Sequence, residues 1–135
     1  MTNYSSSNTA LLPIFEEAEA FLTALAGQDA QFTFQTFDDV EVWSEEKQKM
    51  IPRKGTPNAP DVVRVFNGTF NAHKHTLAAL NAKGAGVYIT VNQTDLKGRK
   101  EANIVKVRAL FVDLDGSPIQ PILDLPEDLQ PHIII

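Results

Sequence analysis

Apolar residues recur at helical spacing in two stretches of the chain. From Leu12 to Ala26 they fall three or four positions apart, with glutamates near the start and Gly27 directly after the last position. From Phe70 to Ala82 the pattern returns, and Gly84 follows as a stop. These two stretches predict two amphipathic helices.

A period of two, typical of a half-buried strand, begins at Gln31. Two phenylalanines fall on one face and Thr33 and Gln35 on the other, so we predict a strand from Gln31 to Phe37, with a turn at the two aspartates that follow. Three shorter apolar runs predict further strands, at Val40–Trp43, Val62–Phe66 and Val87–Val91. Residues 44–60 hold three prolines and a glycine without any period, which predicts a long exposed loop.

Together these elements predict one α+β domain with a mixed, largely antiparallel central sheet and two main helices. A length of 135 residues and a hydrophobic content of 43% fit a single domain with its own core. The first ten residues are polar and serine-rich. We therefore predict a flexible arm over residues 1–10 and the domain over residues 11–135.

The stretch from Val105 to Gly116, VKVRALFVDLDG, combines an apolar strand with two aspartates one residue apart. Side chains two positions apart in a strand point to the same face, so Asp113 and Asp115 would present their carboxylates together. Apolar neighbours on both faces predict that this strand lies inside the sheet. Buried carboxylates need a metal or a basic side chain beside them, and the pair predicts a site for one or two divalent cations.

The net charge of −5 argues mildly against a nucleic-acid partner, because nucleic-acid-binding surfaces are usually basic. The charge is unevenly distributed, however: residues 1–50 have a local net charge of −7, and residues 97–108 one of +4. The basic segment precedes the acidic strand and suits the tip of a long antiparallel hairpin. We predict that four of its side chains contact phosphate groups near the two carboxylates. They are Lys97, Arg99, Lys100 and Arg108.

Cysteine is absent from the chain, so neither a disulfide framework nor a thiolate metal site is possible, and three histidines are too few for a histidine-rich metal site. No stretch approaches the roughly 18 apolar residues of a membrane span, and the N-terminal residues lack the pattern of a signal peptide. We therefore expect a cytoplasmic protein without a membrane partner.

Three segments resemble the primase-polymerase domains of phage and plasmid replication proteins, which belong to the archaeo-eukaryotic primase superfamily. These segments are FQTFDD (Phe34–Asp39), RVFNGTFNAH (Arg64–His73) and the run from Gly84 to Gly116 that ends in FVDLDG. In that superfamily a strand-borne aspartate pair holds the metals for nucleotidyl transfer. The resemblance implies that Asp113 and Asp115 are catalytic and bind Mg²⁺ or Mn²⁺.

The resemblance also implies a reaction and its partners. The 3′-hydroxyl of a primer would attack the α-phosphate of a nucleotide in line, and two metals about 3.5 to 4 Å apart would lower the pKa of that hydroxyl and hold the leaving oxygen. The complete protein would bind a DNA template and nucleotides. The superfamily's later motifs, a serine and histidine that bind the nucleotide and a third metal-binding acid, have no counterpart after Asp115. We therefore expect the N-terminal part of such a domain, with weak metal binding, which works with a missing C-terminal part or a helicase-like partner.

Other interpretations start from the same residues. FVDLDG also matches the nucleophile motif of haloacid-dehalogenase-like phosphatases, but too few residues follow Asp113 for the long α/β domain which those enzymes need. Asp-Gly is a common turn dipeptide, which would explain Asp115 without any chemistry, and a basic loop often serves only to suppress edge pairing. The alternative to an enzyme is a catalytically inactive truncated prophage or plasmid domain that binds only DNA or protein.

Overall fold

The computed structural model describes residues 12–135, so the arm predicted over residues 1–10 lies outside the described residues. Its main elements are α1 (Phe15–Ala26), β1 (Gln31–Asp38), β2 (Glu41–Ser44), β3 (Lys49–Pro52), β4 (Val65–Thr69), α2 (Phe70–Ala82), β5 (Ala85–Ile89), β6 (Gln93–Thr94), β7 (Ile104–Lys106) and α3 (Gln120–Leu123). Helices beside antiparallel sheets confirm the predicted α+β class. None of the helices in this part of the chain is long and apolar enough to cross a membrane.

Strand β1 is the middle strand of a three-stranded sheet with the order β4-β1-β5, and both neighbours run antiparallel to it. The register aligns Phe34 with Phe66 on one side and with Ile89 on the other. Residues 32–36 are all buried, because both faces of the middle strand are covered. The predicted strand at Gln31–Phe37 is confirmed.

The helices cover one face of this sheet and enclose the core. Leu22 of α1, Phe32 and Phe34 of β1, and Leu77 of α2 form its buried centre. Helix α2 spans the predicted residues, and the Thr69 hydroxyl caps its first turn by accepting the Ala72 N–H. Helix α1 begins at Phe15 and not at Leu12, because Ile14 is extended and serves as its N-cap.

Two other predicted elements differ from the structure. Strand β4 starts at Val65 and includes Asn67 and Gly68, because Asn67 pairs with Thr33 of β1. The side-chain oxygen of Asn67 also accepts a hydrogen bond from the Thr33 hydroxyl over 2.8 Å. The long loop predicted over residues 44–60 is wrong, since β2 and β3 form an antiparallel hairpin that turns at residues 45–48. Both faces of this hairpin are largely exposed, so it shows no hydrophobic period.

The interior strand predicted from Val105 to Gly116 is also wrong. Strand β7 ends at Lys106, and residues 107–114 have no regular secondary structure. Leu110, Phe111 and Val112 are 93%, 80% and 76% exposed. A strand needs a neighbour for its backbone hydrogen bonds, and the two-residue β6 provides pairing only as far as Lys106.

Candidate functional site

The two aspartates lie on an exposed turn. Asp115 takes a left-handed conformation (φ 44°), and its N–H donates to Oδ1 of Asp113 over 3.1 Å. This is an Asx turn, in which a side-chain oxygen accepts the N–H two residues on and takes the place of the carbonyl oxygen of an ordinary backbone turn. The prediction that Asp113 and Asp115 share one face of an interior strand is therefore wrong.

This turn leaves both aspartates exposed to water. Among residues 12–135, no three histidine, aspartate or glutamate side chains are grouped to hold a metal ion. Mg²⁺ prefers six oxygen ligands and gives up its water reluctantly, so an exposed pair of carboxylates would hold it weakly. The role of Asp113 and Asp115 as metal ligands stays a prediction.

The basic segment, in contrast, forms an ordered loop between β6 and β7, which we call the basic loop (residues 95–103). The Asp95 carboxylate accepts the Lys97 N–H over 2.9 Å and the side-chain amide of Asn103 over 3.2 Å. The side-chain oxygen of Asn103 accepts the Lys100 N–H over 3.1 Å. The two bonds to Asp95, the one from the Lys97 N–H first and then the one from Asn103, lower its pKa. They order the backbone of the loop while Lys97 and Lys100 remain exposed.

Thr33 attaches the basic loop to the outer face of the sheet, opposite the helices. This residue is 1% exposed, and its hydroxyl donates to Oδ1 of Asn67 over 2.8 Å. Since that proton is committed, the Thr94 hydroxyl donates to Thr33 over 2.6 Å and accepts the Leu96 N–H over 3.2 Å. The Gly98 carbonyl oxygen lies 3.4 Å from the Thr33 hydroxyl. One buried hydroxyl thus connects β4 with β6, and through the Thr94 hydroxyl it reaches the start of the loop at Leu96.

An aromatic pair lies beside the basic loop. The Arg99 guanidinium is 5.3 Å from the ring centroid of Phe37, and Phe37 meets Tyr88 of β5 edge to face with centroids 5.5 Å apart. The Tyr88 hydroxyl donates to the Asp39 carboxylate over 2.7 Å, and this bond raises the pKa of the tyrosine. Tyr88 is 49% exposed, so it presents an oriented aromatic ring to the solvent.

Arg108 differs from the other predicted phosphate contacts because its guanidinium is turned inward. It lies 4.5 Å from the ring centroid of Phe32, and Nη2 donates to the Gln31 carbonyl oxygen over 2.8 Å. Nη1 is buried without a hydrogen-bond partner among the described residues, and burial lowers the pKa of Arg108. Neither of the two ion pairs found within residues 12–135 joins this arginine or the basic loop to Asp113 or Asp115.

The better buried of those ion pairs holds the β2–β3 hairpin in place. Arg53 donates to the Asp38 carboxylate through Nη2 over 2.7 Å and through Nε over 3.0 Å, and the two side chains are only 19% and 2% exposed. Nη2 also donates to the Lys83 carbonyl oxygen over 2.8 Å. The hydrogen bond from Arg53 lowers the pKa of Asp38. Asp38, predicted as a turn residue, is the last residue of β1.

Sequence reasoning named the charged residues of the basic loop but missed the residues that position it. Thr33, Phe37 and Tyr88 meet this loop or each other only through contacts distant in sequence. The period of two in β1 did place Thr33 on the polar face. It carried no information about which segment would cover that face.

Comparison of the chain with models of protein families, with curated proteins and with solved structures finds no match in any of the three. The resemblance to primase-polymerases therefore stays a hypothesis based on the sequence motifs.

Proposed function

We propose that this chain is the nucleic-acid-binding N-terminal part of a metal-dependent DNA primase-polymerase of the phage or plasmid type. In this proposal Lys97, Arg99 and Lys100 contact the phosphates of the template, and Asp113 and Asp115 are the first metal-binding motif. The main support for this proposal is the position of the basic loop, which is fixed to the outer face of the sheet beside the exposed ring of Tyr88.

The order of this loop matters because a fixed loop loses less conformational entropy on binding than a mobile one. Its exposed cations can neutralise phosphates and release counterions, which supplies most of the affinity of sequence-independent binding. Tyr88 adds a ring on which a base can stack, with its orientation held by Asp39. Basic and aromatic groups on one surface are the combination that single-stranded nucleic acid requires.

The metal part of the proposal rests on the Asp-x-Asp motif and on the apolar segment before it. Leu110, Phe111 and Val112 have the composition of a buried strand, yet they are exposed. We expect Asp113 and Asp115 to form a compact metal site when this segment pairs with another strand, since pairing would turn both carboxylates to one face. In the turn described above, we expect only weak binding of Mg²⁺ or Mn²⁺.

The test is fluorescence anisotropy of a labelled oligothymidylate with purified protein at several salt concentrations. Replacing Lys97, Arg99 and Lys100 together by Gln should weaken binding and reduce the magnitude of the salt slope by about 2, since each phosphate contact to a single strand contributes about 0.7. The matched control replaces Lys74, Lys83 and Lys106 by Gln, which removes the same charge outside residues 95–103. Equal loss in both triple variants would refute the role of the basic loop.

A second candidate function is a domain that binds nucleic acid without catalysis. The exposed turn favours it, because two carboxylates open to water make an incomplete site for a metal that prefers six oxygen ligands. Manganese binding followed by electron paramagnetic resonance separates the two candidates. Binding that Asp113→Asn abolishes supports the enzyme, whereas oligonucleotide binding without any bound Mn²⁺ supports the binding domain.

A further inference from the structure

An open cleft of about 430 Å³ lies along the β2–β3 hairpin, away from the residues of the basic loop. Three lysines line it: Lys47 in the turn, Lys49 in β3 and Lys54 just after that strand. Gly55 and Thr56 contribute to the same wall, and within the described chain no acidic residue does. Its size falls in the range of ligand sites, and its three positive charges select an anion. We infer that this cleft binds closely spaced phosphate groups.

The three lysines are available for a ligand. Neither ion pair within residues 12–135 includes them, and the nearby Arg53 is already committed to Asp38. The three residues line one cleft, so their ammonium groups repel one another when they turn into it, and an anion between them relieves that repulsion. Three acids are close in sequence or strand register but do not line the cleft: Glu41, Glu45 and Glu46. One of these, Glu45, accepts the Gln48 side-chain amide over 3.3 Å.

The walls of the cleft are ordered before any ligand arrives. The Arg53 N–H donates to the Val40 carbonyl oxygen over 2.8 Å, which ties the end of β3 back to the start of β2. The Thr56 hydroxyl donates to the Arg53 carbonyl oxygen over 2.6 Å and closes the turn that carries Lys54. The backbone of the cleft is therefore preorganised, so the conformational entropy lost on binding is mainly that of the lysine side chains.

Phosphate is the anion that this chemistry fits best. Lysine binds phosphate as a point charge, and three separate ammonium groups match several phosphates better than a single carboxylate. The whole chain carries a net charge of −5, so an anion gains nothing from the protein's overall field and must be held by local charges. The same chemistry is offered by a nucleic-acid strand and by a free polyphosphate, and the experiment distinguishes these sources.

The first measurement is calorimetric titration with inorganic tripolyphosphate in metal-free buffer. Lys47, Lys49 and Lys54 are exposed, so replacing all three by Gln should preserve the fold. We expect the affinity to fall by roughly tenfold or more. The matched control is again the triple Gln variant of Lys74, Lys83 and Lys106, which changes the net charge equally and should bind as the wild type does.

The second measurement uses an oligothymidylate of about 12 nucleotides and the fluorescence of Trp43, the chain's only tryptophan. Trp43 lies opposite Met50 in the hairpin, and Met50 lines the cleft. For three lysine contacts to a single strand we expect a salt slope of about −2, which is roughly a 20-fold loss of affinity between about 50 and 200 mM salt.

The outcomes separate the inference from its alternatives. A loss of affinity for both probes in the cleft variant alone assigns the cleft to a nucleic-acid strand, whereas a loss for tripolyphosphate alone assigns it to a free polyphosphate. If the two triple variants bind tripolyphosphate equally, or if tripolyphosphate does not bind, the inference is overturned. The basic loop is intact in both variants, so oligothymidylate binding through that loop still tests the proposed function separately.

Discussion

Replacing Thr33 by Val tests whether one buried hydroxyl holds the basic loop on the sheet. The substitution keeps the shape of the side chain and removes its bonds to Asn67 (2.8 Å) and Thr94 (2.6 Å). The 3.4 Å contact with the Gly98 carbonyl oxygen is too long to count. At about 1 kcal/mol for each bond, the free energy of unfolding should fall by about 2 kcal/mol.

Two measurements check this value. In urea, with a slope of about 1.5 kcal/mol/M for a domain of this size, the unfolding midpoint should fall by roughly 1.3 M. Hydrogen exchange should show that the loss is concentrated in the loop, where the amides of Lys97 and Asn103 should exchange roughly 30-fold faster. Oligonucleotide binding should weaken as well, because the loop would no longer be held in place.

The matched control is Thr36→Val on the opposite face of the same strand. The Thr36 hydroxyl also makes two short bonds: it donates to the Val62 carbonyl oxygen over 2.6 Å and accepts the Arg64 N–H over 2.9 Å. This variant should lose similar stability without releasing the basic loop. If both variants speed exchange in the loop equally, or if Thr33→Val costs less than about 0.5 kcal/mol, the attachment described here is refuted.

Three further predictions concern the core, the ion pair and the acidic pair. Phe34 is 1% exposed, so Phe34→Ala should lower the free energy of unfolding in urea by about 3–5 kcal/mol. A loss below about 1 kcal/mol would contradict its position in the centre of the core. Because Arg53 lowers the pKa of Asp38, their pair stabilises the fold above about pH 4, and this stabilisation is lost as the pH falls through the pKa of Asp38 in the folded state. Arg53→Gln should therefore make the free energy of unfolding depend less on pH in the acid range. An unchanged dependence would argue against the pair. The chain alone should bind Mn²⁺ weakly and show no primer synthesis, so robust synthesis abolished by Asp113→Asn would mean that its active site is complete.

The elements that were predicted correctly are those whose sequence pattern depends only on neighbouring residues. The 3.6-residue period of Phe70–Ala82 and the alternation from Gln31 to Phe37 are local, and both elements appear where they were predicted. The strand predicted at Val40–Trp43 appears as β2, but its partner β3 was missed because the exposed faces of the hairpin carry no apolar period. The acidic segment was predicted as an interior strand from its apolar residues alone, although a strand also needs a partner for its backbone.

Side-chain period and charge are properties of neighbouring residues, so the amino-acid order was enough to predict the α+β class, the two main helices, the central strand and the charged residues. Which of these groups meet depends on the folded chain. It placed Thr33 under the basic loop, Arg99 over Phe37 and three lysines around one cleft, and it left Asp113 on a turn. Such contacts join residues far apart in the chain, and they form only when strand pairing and burial have selected one arrangement of the backbone.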